Sequence, residues 1–166
     1  MGLDIMAYSQ LKHVEDHLAT GSWCEDEDHI SACAYDAFPR SFRGIPVLGQ
    51  RDGFLVGGCY VVTEKTETVR FRAGSYSGYG QWRDRMALEF QGKPAGPDLD
   101  PDGPFYELLW FADNEGCIGP EAAADLLEDF RENASSWTPV WPHSDPYVGF
   151  MTACELAADG GLVEFR

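Results

Sequence analysis

Residues 76 to 90 constrain the fold more than any other stretch. Tyr76, Tyr79, Trp82, Met86 and Phe90 step by 3, 3, 4 and 4 positions, the stripe of a helix with one buried face. They follow "TVRFRAG" (68–74), which reads as a strand, with Gly74 at the corner and Ser75 or Ser77 able to cap the helix. A strand running directly into an aromatic-striped helix must pack sheet against helix.

The other elements fit that plan. "GLDIMAYS" (2–9) reads as a first strand, "ISACAY" as a short one and "FLVGGCYVVTE" (54–64) as a better one. The short polar link from 64 to 68 predicts a hairpin between 54–64 and 68–74. "FYELLWFAD" (105–113) reads as a buried strand, with a short helix after Pro104 as the alternative. "GPEAAADLLEDFREN" predicts a helix opening at Pro120, its buried face Ala123, Leu126, Leu127 and Phe130. A last helix is expected from Asp145 to Asp159, capped by Ser144 and ended by Gly160-Gly161, before a closing strand "LVEFR". Residues 92–104, rich in Pro, Gly and Asp, read as a flexible loop. The order gives a single α+β domain over 1–166, a mostly antiparallel sheet with about three helices packed on one side.

Charge narrows the partners. The net charge is −16, yet residues 40–93 hold nine of the twelve basic residues against five acids, a local balance of +4. The rest of the chain carries −20 and repels duplex DNA and anionic membrane, which bind through phosphate neutralisation. Neither direct nucleic-acid binding nor membrane binding is expected. No apolar run reaches the roughly 18 residues of a membrane span, and the first residues lack the pattern of a secretory signal. Five irregularly spaced cysteines make a poor disulfide framework, so a reducing cytoplasm is expected.

The basic zone holds the first candidate site. A helix opening at Ser75 offers free N–H groups to an anion; Arg70, Arg72 and Arg83 could add guanidinium contacts, Tyr76 or Tyr79 a stacking face, and Ser77 and Trp82 complete the corner. Gly78 and Gly80 are costly inside a helix and favour close approach of something to the backbone. The competing account makes the aromatics core and the arginines solvated.

A second corner, Asp113, Asn114 and Glu115, could accept hydrogen bonds from a base or sugar, or build only an Asx-type turn. It lacks the spacing of a calcium loop. His13, His17, Cys24 and His29 are weak metal candidates without the spacing of a common zinc module, so no metal or other cofactor is expected. No GxSxG, Walker or GxGxxG motif occurs, and no enzymatic activity is expected.

"GSYSGYGQWRDRM" followed by "PFYELLWFADNEGCIGPEAAADLLEDF" resembles an immunity-protein family of polymorphic toxin systems, the one numbered seventy. Ser75, Tyr76, Tyr79, Trp82 and Arg83 match its first block; Asp113, Glu115 and Gly116 match its second. With the opening MGLDI, the chain is similar to phage and prophage proteins carrying the same blocks. The likeness covers roughly 70–132 and the first few residues. It implies a non-enzymatic binding or inhibitor protein of phage–bacterium conflict, acting in the host cytoplasm if phage-encoded.

Two modes of action follow. One is counter-defence by sequestering a small anionic, nucleotide-like ligand between the Ser75 and Asp113 corners. The other is an acidic inhibitor, of anti-CRISPR, DNA-mimic or toxin-immunity type, blocking a host or toxin protein's basic surface, since residues 98–132 hold eleven acids against Arg131 alone. A metal-dependent enzyme is a third, and the oligomeric state is open, a homodimer included.

Overall fold

The computed structural model describes residues 2–14, 29–31, 59–110, 116–139 and 145–166. Strands are β1 (Gly2–Tyr8), β2 (Lys12–Val14), β3 (His29–Ser31), β4 (Cys59–Val61), β5 (Thr68–Ser75), β6 (Gly116–Ile118) and β7 (Leu162–Phe165). Helices are α1 (Tyr76–Gln91), α2 (Tyr106–Trp110), α3 (Pro120–Asn133) and α4 (Tyr147–Ala157). A four-stranded antiparallel sheet has the order β5-β1-β7-β6, and a three-stranded one the order β2-β4-β3. The α+β architecture is as expected.

Alternation on the strands sorts the two faces of the larger sheet. Leu3, Ile5, Ala7, Ala73, Val163 and Phe165 join one core with the buried sides of all four helices. On the other face Tyr8, Cys117 and Leu162 form a smaller cluster, with Met6, Leu11 and Tyr60 packed against it.

Two expectations fail. Strands β4 and β5 form no hairpin; they belong to different sheets. The link between them turns on itself, Thr66 N–H donating to Thr63 O at 3.1 Å, and then docks on the link between β1 and β2. Ser9 N–H donates to Glu67 O at 3.0 Å, and Glu67 N–H to Ser9 Oγ at 3.0 Å. One bent ribbon results, in which β1–β2 runs antiparallel to β4–β5 across both sheets. The polar link is therefore a crossing between sheets.

The second failure is the expected strand at 105–113, whose described part is helix α2. Nearly every side chain there is apolar and buried, so periodicity does not separate strand from helix. Phe105 opens the helix in a left-handed conformation, φ 59°. Its N–H donates to Asp129 Oδ2 at 2.6 Å, its carbonyl accepts from Leu109 N–H at 2.9 Å, and its ring packs on Phe130, centroids 4.9 Å apart.

Residues 92–104 form no helix or strand, but side chains of α1 hold them. Gln91 accepts from Asp100 N–H at 2.9 Å and donates to Pro104 O at 2.8 Å, while Asp84 accepts from Ala95 N–H at 3.2 Å. At the start of α4 the N-cap is Pro146, and Asp145 accepts from Tyr147 N–H at 2.9 Å. Ser144 lies outside the described residues.

Candidate functional site

The corner between β5 and α1 forms as its residues dictate. Gly74 has φ 112°, a conformation side chains disfavour, and turns the strand into the helix. Ser75 is the N-cap: its Oγ accepts from Gly78 N–H at 3.0 Å and lies 3.2 Å from Ser77 Oγ. Further first-turn N–H groups of such a helix start point outward.

The proposed cations and rings do not converge there. Arg70 and Arg72 alternate with the inward Phe71 and Ala73, so they project from the sheet face opposite the helices. Arg70 pairs with Asp4 at 3.4 Å, and the Arg72 guanidinium lies over Gly2, leaving no room for a Cβ. Neither can share a ligand with a side chain on α1's inner side. The stacking role given to Tyr79 also fails, and Trp82 joins it in the core. Tyr79 stacks on Trp82 with centroids 5.9 Å apart, and Trp82 stacks on Phe150 at 5.4 Å, both rings being enclosed. Burial pushes the Tyr79 phenol up, Arg83 partly opposing the shift.

What remains is a strip along α1. Tyr76, Gly80, Arg83 and Ala87 follow one another at i, i+4, i+7 and i+11 and so share one side of the helix. Exposure along it falls from 38% at Tyr76 to 7% at Arg83 and zero at Ala87. The strip passes from solvent under cover within two turns.

Arg83 is the unusual member. Its stem is buried and its guanidinium carbon sits 5.7 Å from the centroid of the Tyr79 ring, a cation–π contact. Among the described residues no carboxylate pairs with it, and its Nε has no hydrogen-bond partner. Tyr79 Oη and Trp82 Nε1, within the same turn, also lack partners. By contrast Arg85 stacks on Trp137 at 4.6 Å and donates to the Thr138 carbonyl. Three orphaned polar atoms in five residues is a concentration native cores rarely show.

Asp113, Asn114 and Glu115 lie outside the described residues, as do His17 and Cys24. His13 stands on β2 opposite Tyr60, and His29 on β3 opposite Val61, one residue out of register across β4. Among the described residues no three His, Cys, Asp or Glu gather closely enough to hold a metal. Cys117 and Cys154 are buried thiols, and burial pushes Cys154 up. Among the described residues no helix is long and apolar enough to cross a membrane.

Comparison of the chain with family models, with curated proteins and with solved structures returns no match.

Proposed function

We propose that the protein is a non-enzymatic binding protein that holds a small anionic ligand against helix α1. One observation carries the reading: Arg83, 7% exposed, without a carboxylate partner among the described residues and with an orphaned Nε. A buried guanidinium with no counter-charge is costly, and an oxyanion arriving at its Nη groups supplies charge and acceptors together. The anion site therefore moves from the helix entrance to its third turn. The setting, counter-defence by removing a signalling nucleotide from the system that uses it, rests on the resemblance of residues 70–132.

Calorimetry tests this with inorganic phosphate, pyrophosphate and a nucleotide panel against wild type and Arg83→Gln. Saturable heat in wild type, weakened about tenfold to a hundredfold in the variant, is expected for the loss of a charge-assisted contact. No heat with any of these ligands ends the reading.

A second reading has its own observation. Glu121, Asp125, Glu128 and Glu132 line the outer side of α3, and Arg131, the helix's one base, is turned toward Glu155 of α4 at 2.7 Å. A groove of about 350 Å³ beside them is lined by Ala124, Asp125, Leu127, Glu128 and Arg131. Such a face suits a protein with a basic surface, and that association would weaken steeply with salt and on charge reversal at Glu121, Glu128 and Glu132.

A further inference from the structure

The three glycines around the start of α1 have different reasons to be there. Gly74 is required by its positive φ. At Gly78 a Cβ would come 3.0 Å from the capping Ser75 Oγ, so bulk there would press on the cap. Gly80 has neither excuse. Its backbone is helical, and beyond its chain neighbours and the nearby backbone of its own helix a Cβ would meet no described atom within 4 Å. Alanine at 80 would cost the fold nothing and would remove the helix penalty of glycine.

Gly80 lies between the exposed Tyr76 and the buried Arg83, whose Cα atoms stand about 10 Å apart along the helix axis. Inorganic phosphate cannot touch both. A ligand that does needs a flat ring at one end, an anion at the other, and a middle lying against bare backbone.

We infer that the ligand is a nucleoside phosphate, its base on Tyr76, its sugar across Gly80 and its phosphate at Arg83. This deepens the anion-binding reading and rests on it. Tyr76, 38% exposed, supplies the stacking face that the enclosed Tyr79 cannot. The absent Cβ at 80 lets the sugar approach the helix more closely than any other residue would allow.

The test measures binding of nucleoside 5′-monophosphates, the matching nucleosides, and inorganic phosphate to wild type, Gly80→Ala and Tyr76→Ala, with thermal melts of each protein. Gly80→Ala should melt about 2–4 °C higher yet bind the monophosphate at least about tenfold more weakly, with phosphate binding unchanged. Tyr76→Ala should lose about tenfold to a hundredfold for the monophosphate, the worth of one stacked base, again sparing phosphate. Monophosphate binding as tight in Gly80→Ala as in wild type, or phosphate binding as tightly as the monophosphate, overturns the nucleoside assignment while leaving an anion site at Arg83. Failure of every probe to bind wild type removes both.

Discussion

Helices α1 and α3 are the two longest of the described residues, and they treat the rules of helix construction oppositely. Helix α3 opens with proline after an extended Gly119, carries Glu121 in its first turn and Arg131 in its last, and buries only apolar side chains. Helix α1 has no acid in its first turn, no base in its last, two glycines near its start and a buried arginine. Its glycines alone cost about 0.5–1 kcal/mol each relative to alanine. Departures from local consistency collect where a sequence serves something besides folding, and here they collect on the strip from Tyr76 to Arg83. The acidic α3 is an ordinary helix with a charged exterior; α1 is ordinary only on its aromatic side.

The contrast can be broken or sharpened by experiment. Trp82→Ala should be the most damaging change, since the ring stacks on Phe150 and meets Trp137 edge-on at 6.2 Å. A loss of about 3–5 kcal/mol in denaturant unfolding is expected, and a much smaller loss would mean that α1's aromatic side is not core.

Asp129 gives the next effect. Burial, against the opposing hydrogen bond from Phe105 and with Glu107, Glu132 and Asp125 nearby, raises its carboxyl from 3.8 to about 6. The folded state then holds the proton more tightly than the unfolded one. Its contribution to stability is full below the unfolded value and disappears as pH rises through the folded one. Compared with Asp129→Asn, wild type should gain about 1–2 kcal/mol as pH falls from 6 to 4, the full shift being discounted because the group is half-buried. Parallel stability–pH curves for the two proteins would refute it. Ser75→Ala should cost about 1 kcal/mol by removing the cap on Gly78, readable in the same unfolding curves. Glu121→Gln in α3 should cost only about 0.3–1 kcal/mol and less at high salt.

Much of this was legible before any coordinates. The cap at Ser75, the turn at Gly74, the limits and buried face of α3 and the final strand follow from local chemistry that tertiary packing leaves alone. The faces of Arg70 and Arg72 were legible too: alternation with Val69, Phe71 and Ala73 sends both away from the helices, and the expected arginine cluster ignored it. Helix α2 was legible only as the alternative to a strand, because an apolar run buried all round has no periodicity to read. The crossing of Glu67 over Ser9 was not legible, since it joins residues 58 apart in sequence. At the candidate site, position 83 was visible as an arginine after an aromatic stripe, but its burial without a carboxylate partner among the described residues is a property of the assembled core. Gly80 was visible as a cost, and only the open space around it separates it from Gly78.

Strands β1 and β7 come from opposite ends of the described chain, yet they are neighbours in the middle of the larger sheet. Asp4 N–H donates to Arg166 O at 3.0 Å, and Arg166 N–H returns to Asp4 O at 2.9 Å. A ribosome that has made residues 1 to 160 has therefore made a sheet with its centre missing, and β1 must wait for β7 to leave the exit tunnel. Until then the edge of β1 that β7 will cover stays open to chaperones. The same adjacency means that a short linker from residue 166 back to residue 2 would turn a pairing across the whole described chain into a hairpin.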